Sequence, residues 1–169
     1  GIVVDEKAFL EEWKSYYKDH TSCDCEFMTE RDIFIARIQM FYDRYNVSRN
    51  AENDADSLLA TAFAREAYPE TKDVLHDLME NYLVFIGSNT DNDVLECVMQ
   101  NNNVTVHKVY TSENLKCYKP SGHFFTQILD DSALSANEVL FVGDSVTGVL
   151  EELNDDGAVI NGKHYGYSS

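Results

Sequence analysis

Three short stretches of the chain hold residue types that chemistry needs. The first, Gly87-Ser88-Asn89-Thr90-Asp91, follows a short apolar run and precedes a helix-like pattern, which sets a hydroxyl and several backbone N–H groups at a helix N-terminus. Such a turn can cradle an anion. The second, Lys116-Cys117-Tyr118-Lys119-Pro120-Ser121-Gly122-His123, places a lysine directly before a proline. Proline fixes its own φ and pushes the preceding residue into extended backbone, so Lys119 is expected to aim its ammonium along the strand ends, with Pro120 starting a helix. The third, Val142-Gly143-Asp144-Ser145, ends an apolar run in a carboxylate, a hard oxygen donor of the kind magnesium takes. Each is a common turn when met alone. Their order, and the match of a hydroxyl, a cation and a carboxylate, favour one joint site.

The elements that must position these residues alternate. Tyr82 to Ile86, Val106 to Tyr110 and Val139 to Val142 read as short buried strands, bounded by turn residues. Between them, a helix capped by Asp91 carries Val94, Leu95 and Val98, and another carries Phe124, Phe125, Ile128 and Leu129. The order β-α-β-α-β predicts an α/β fold with a Rossmann-like parallel sheet covered by helices. Ligands of such sheets bind beyond the carboxyl ends of the strands, so the loops after Ile86, Tyr110 and Val142 should face one crevice.

The earlier part of the chain has a different texture. Helical spacing of apolar residues runs from Asp5 to His20 (Phe9, Trp13, Tyr16, Tyr17), from a capping-box-like Thr29 to Asn46 (Phe34, Ile38, Phe41, Tyr45), and from Asp56 to Tyr68 (Leu58, Leu59, Ala62, Phe63). Residues 5–68 therefore read as a helical bundle without strands. Pro69 suits the first turn of a further helix to about Glu80.

With these residues in view, the chain resembles the haloacid dehalogenase-like (HAD) hydrolases. Ile86-Gly87-Ser88-Asn89 is similar to the second HAD motif, Tyr118-Lys119-Pro120 to the third, Phe141-Val142-Gly143-Asp144-Ser145 to the fourth, and Gly1-Ile2-Val3-Val4-Asp5 to the tail of the first. The resemblance implies a core over residues 69–169, with Gly1–Val4 as a remnant of the first motif, and an inserted helical cap over residues 5–68. It implies that Ser88 and Lys119 are catalytic, that Ser88, Asn89 and Lys119 bind phosphate, and that Asp144 holds Mg2+. The reaction implied is magnesium-dependent hydrolysis of a small phosphorylated metabolite through an aspartyl-phosphate, in which positioning and charge stabilisation supply most of the acceleration.

Two departures accompany it. The family's nucleophile, an aspartate, belongs ahead of Gly1, and the family's second acid after the fourth motif has no counterpart near Val149; Gly148 leads directly into Val149-Leu150-Glu151-Glu152-Leu153, which resembles the C-terminal helix. The expectation is a missing block on each side, before Gly1 and between Gly148 and Val149. A catalytically inactive binding or regulatory homologue is the alternative. A 2-haloacid dehalogenase is the enzymatic rival, against which Gly143-Asp144 speaks, because carbon–halogen displacement needs no magnesium.

Composition narrows the partners. Thirteen Lys plus Arg against thirty Asp plus Glu give a net charge of -17, which repels polyanions and argues against nucleic acid. A phosphate site must then be built from local cations, backbone N–H groups and a metal ion. No apolar run is long enough to span a membrane and the first residues do not resemble a signal peptide, so a cytoplasmic location is expected. Cys23, Cys25, Cys97 and Cys117 have neither zinc nor disulfide spacing. Trp13, Tyr16 and Phe41 either shape substrate choice or form core.

Overall fold

Asp5 begins the first helix by folding its carboxylate back onto the backbone N–H groups of Lys7 and Ala8, at 3.0 and 3.1 Å. The computed structural model describes residues 5–21 and 26–143. Helix α1 spans Glu6–His20, α2 Glu30–Tyr45 and α3 Ala51–Phe63. The ends of α2 follow its sequence closely. Thr29 accepts from the Asp32 N–H at the start, and Asn46 closes the other end in left-handed backbone, with φ 50°. The Thr29 side chain satisfies a backbone group left over at the start, and at the other end the Asn46 backbone N–H serves the Asp43 and Tyr42 carbonyls.

α3 starts five residues before the expected Asp56, because Asn50 accepts from the Asn53 N–H and caps there. It ends at Phe63 rather than Tyr68. Its buried residues Ala51, Ala55, Leu59 and Ala62 recur at helical spacing, and the alanines let α2 pack closely against it. Ile38, Ala51 and Ala55 form a core with Trp13, Phe34, Ile35 and Tyr42 around it. Phe9 of α1 meets Phe41 of α2 with ring centroids 4.4 Å apart. The aromatic stripes read from the sequence thus pack into one another.

Helix α4, Thr71–Met79, contributes no buried residue. The link between α3 and α4 is held by one side chain of the next helix. Asn102 accepts from the Ala67 N–H at 2.7 Å and donates to the Arg65 and Val98 carbonyls at 2.9 and 2.8 Å.

Strand β1, Phe85–Ser88, pairs in parallel with β2, Lys108–Thr111, in a register that sets Ser88 opposite Thr111. Both strands lie a few residues C-terminal of their expected positions. Helix α5, Asn92–Asn102, joins them. A one-turn helix α6, Ser112–Leu115, follows β2 and was not expected; Thr111 and Asn114 cap it reciprocally.

The described residues fall into two compact units that divide between Tyr118 and Lys119. The second holds α7, Gly122–Ser132, whose Phe124, Phe125 and Ile128 are buried. α7 begins after Ser121, which caps it through the His123 N–H, so Pro120 stands before the helix rather than inside its first turn. A 3-10 turn over Ala136–Glu138 follows.

Among the described residues the expected third strand is not found. Residues 139–142 pair with no strand among the described residues, because a strand is completed by its neighbour and an apolar run cannot supply one. Its alternation survives, with Leu140 and Val142 exposed at 74% and 87% and Phe141 packed edge-on against Phe125. The result is a mixed α/β chain, mostly helical, with a small parallel sheet. Among the described residues, no helix is long and apolar enough to cross a membrane.

Candidate functional site

Ser88 is the last residue of β1 and Asn89 the first of the loop beyond it, and both are half-buried. They stand at the carboxyl end of a parallel strand, where open α/β sheets place their ligands. The next two residues, Thr90 and Asp91, are each only 5% exposed. What fixes this loop is a ring of bonds to α6 and α2.

From the α6 side, the Ser112 hydroxyl donates to the Thr90 carbonyl at 3.2 Å and the Thr111 hydroxyl donates to Asn92 Oδ1 at 2.5 Å. Glu113 Oε2 accepts from the Asn92 N–H at 2.7 Å. The first donor of α5 is therefore already engaged by a carboxylate, and is not offered to an anion as the sequence suggested. The Thr90 Oγ1 is buried with no hydrogen-bond partner.

From the other side comes an exchange of caps. Asp91 occupies the N-cap position of α5 but makes no side-chain bond to that helix. Its two oxygens instead accept from the Glu30 and Arg31 N–H groups, at 2.8 and 2.9 Å. Together with Thr29, which serves Asp32, Asp91 accounts for the first three orphan donors of α2. Burial pushes the Asp91 carboxyl up from the ordinary aspartate range, against the opposing pull of those two N–H groups.

A cleft of about 480 Å³ opens beside this junction, lined among others by Arg31, Asp56, Asp91, Asp93 and Glu113. Arg31 spends its guanidinium on Asp56, at 2.8 and 3.2 Å. Four carboxylates against one paired cation repel phosphate, so this cleft is not the anion site.

At the first residue of the third motif, the Tyr118 hydroxyl donates to the Met28 carbonyl at 2.9 Å, and its ring stacks on Phe27 with centroids 5.4 Å apart. Tyr118 is 3% exposed. Lys119 belongs to the second unit, where its ammonium lies 5.9 Å from the Phe124 ring centroid. The Lys119–Pro120 peptide is cis. Asp144 and Ser145, with the stretch after Gly148, lie outside the described residues. Among the described residues, no group of three or more His, Cys, Asp or Glu side chains is placed to hold a metal ion.

Ser88, Asn89 and Asp91 thus share one pinned loop. Sequence reasoning named Asp91 only as the cap of its own helix, and missed Glu113 and the reach of Tyr118 to Met28. Their partners are 21 to 90 residues away, so no local pattern could have disclosed them.

The family model for haloacid dehalogenase-like hydrolases matches residues 3–151. The chain belongs to that family. Among solved structures, the HAD hydrolase YfnB of Bacillus subtilis, bound to magnesium, is similar with a TM-score of 0.66 at 16% identity, over 88% of this chain and 67% of that one. A dehalogenase solved with an intermediate complex gives 0.63 at 19% identity, over 82% and 64%. The HAD-family enzyme bt-2542 of Bacteroides thetaiotaomicron, solved as an Asp-to-Ala mutant with magnesium and inorganic phosphate, gives 0.53 at 20% identity, over 86% and 80%. At these identities the likeness is one of fold. The chain spans 64% of the length of that dehalogenase. No curated protein sequence matches it significantly.

Proposed function

We propose that this chain is the bulk of a magnesium-dependent phosphomonoester hydrolase acting on a small phosphorylated metabolite, with a helical cap over residues 5–68 and a core over residues 69–169. The observation that carries the reading is the position of Ser88 at the last residue of β1 and Asn89 directly after it, opposite the β2 end that leads in sequence to Tyr118-Lys119-Pro120. In this reading the Ser88 hydroxyl and Asn89 bind phosphoryl oxygens. Lys119 offsets the negative charge gathered by nucleophile and phosphoryl group, the kind of preorganised charge that does most of the work in such transfers. Asp144 offers Mg2+ the hard oxygen donor it takes, and the ion supplies Lewis-acid charge neutralisation when bound. The relatives solved with magnesium, and with magnesium and phosphate, support the choice of ion and anion.

A second reading, 2-haloacid dehalogenase, is favoured by the structures of L-2-haloacid dehalogenases among the similar folds. Gly143-Asp144 weighs against it, since halide displacement has no use for a metal carboxylate. A third, a binding or regulatory homologue without turnover, follows from the absence of an acidic counterpart near Val149. One assay on the intact protein separates the three. Phosphate release from p-nitrophenyl phosphate that stops with EDTA supports the phosphatase; halide release from 2-chloropropionate without metal supports the dehalogenase; phosphate binding without either turnover supports the third.

A further inference from the structure

The two motif-bearing loops of the first unit reach for neighbouring residues of one five-residue segment, Phe27–Arg31. Asp91, three positions after Ser88, holds the Glu30 and Arg31 N–H groups. Tyr118, immediately before Lys119, holds the Met28 carbonyl and stacks on Phe27, whose ring also lies 5.0 Å from the Lys116 ammonium. Phe27–Arg31 is the entry to α2, the central helix of the bundle. Asp91 and Tyr118 are both at least 95% buried, and neither bond is made within its own element. A carboxylate at an N-cap position normally serves its own helix. Here it is turned to another, while Glu113 takes over at Asn92.

We propose that Asp91 and Tyr118 are positioning residues that jointly register the entry of α2 against the loop leading from Ser88 and the segment that ends at Tyr118, so that the helical region and the loop of Ser88 and Asn89 hold one geometry. The inference rests on the phosphatase reading above. Neither residue touches substrate. Their effect runs through the loop backbone: Asp91 is tied to Ser88 by two intervening residues, one of them fixed by Ser112, and Tyr118 is bonded covalently to Lys119. Small misplacements of such groups are costly to rate, because reacting atoms must meet at fixed distance and angle.

The test uses the intact protein as wild type, Asp91→Asn, Asp91→Ala, Tyr118→Phe and the Asp91→Asn/Tyr118→Phe double variant. Inorganic phosphate affinity with Mg2+, p-nitrophenyl phosphate kinetics and Tm are measured on each. Asn keeps one acceptor oxygen and Phe keeps the stacking ring, so both conservative variants are expected to fold with Tm within a few degrees of wild type. Each is expected to lower kcat about tenfold while phosphate affinity and KM move less than threefold. Asp91→Asn should recover part of what Asp91→Ala loses, and the double variant should lose less than the product of the two single losses, because both act on one segment. The inference is overturned if the conservative variants lower Tm and leave kcat unchanged, or if their losses multiply as independent sites do. Should wild type neither bind phosphate nor release it from the substrate, the phosphatase reading falls and this inference with it.

Discussion

The guanidinium of Arg37 lies over the ring of Tyr16, with its central carbon 4.6 Å from the ring centroid. Phe41 and Trp13 stand at 5.0 and 5.5 Å from the same carbon. Arg37 is 2% exposed, and its Nε and Nη2 atoms have no hydrogen-bond partner. Its charge is therefore held mainly by aromatic faces, and burial pulls its pKa down from the usual arginine value. Ring faces return about 0.5–2 kcal/mol to a buried cation, less than the several kcal/mol that desolvating it costs.

Replacing Arg37 with Met should consequently leave stability unchanged or raise it, since the side chain fills similar space without a charge. Arg37→Ala leaves the space empty and should destabilise by about 2 kcal/mol or more. Urea titrations of both variants check this. A Met variant as unstable as the Ala variant would show that the charge has a compensating partner.

The Thr90 hydroxyl is buried beside Asn89 without a partner. Thr90→Val keeps the shape and removes the unsatisfied group, so the expected change is a gain of about 1 kcal/mol. The Thr90 carbonyl still accepts from Ser112, and the loop should hold its place. A loss of stability would mean that the hydroxyl is bonded in solution.

Asp54 accepts from Arg49 and from the Tyr42 hydroxyl, and these bonds, Arg49 first, hold its carboxyl below the usual aspartate range. The folded pKa is depressed, so the stability Asp54 supplies is present above the ordinary aspartate value near 3.9 and is lost as pH falls through the folded value. The Tm gap between wild type and Asp54→Asn should accordingly be open at neutral pH and close as pH falls through the folded value, below the ordinary aspartate range. A gap that persists at the acid end would contradict the assignment. The Tyr42 hydroxyl, held up by the same bond, should ionise at lower pH in the variant.

Lys119 packs against Phe124 by its ammonium, and its proposed task is electrostatic. Lys119→Met keeps the stem and should lower kcat by about 100-fold or more with Tm close to wild type. Steady-state kinetics with p-nitrophenyl phosphate, beside a thermal melt, decide it. A full-rate Met variant would remove Lys119 from the chemistry.

The parts of the fold legible in the sequence are those whose cause is local. Thr29 and Asn46 mark the ends of α2 because each bonds within four residues of itself. Asn50 carries the same kind of signal for α3, but the expected start at Asp56 rests on the apolar spacing of Leu58, Leu59, Ala62 and Phe63. The apolar run at 139–142 keeps its alternation and has no partner strand among the described residues, which shows that a strand is not a property of its own residues. At the candidate site, Ser88 and Asn89 were legible as the end of an apolar run. The geometry that holds them was not, because Asp91 and Tyr118 find their partners 60 to 90 residues away.

Asn102 gives this arrangement a mechanical side. One side chain rivets Arg65 and Ala67 to the last turn of α5, while Asp91 fastens the first residues of α2 at the opposite end of the same helix. Eleven residues separate the two anchorages along α5, a rod of about 16 Å. Load carried by α2 or α3 therefore enters the rod at one end or the other. The near end of that rod is the loop of Ser88 and Asn89, so a displacement of the α2 entry is passed to this loop through Asp91.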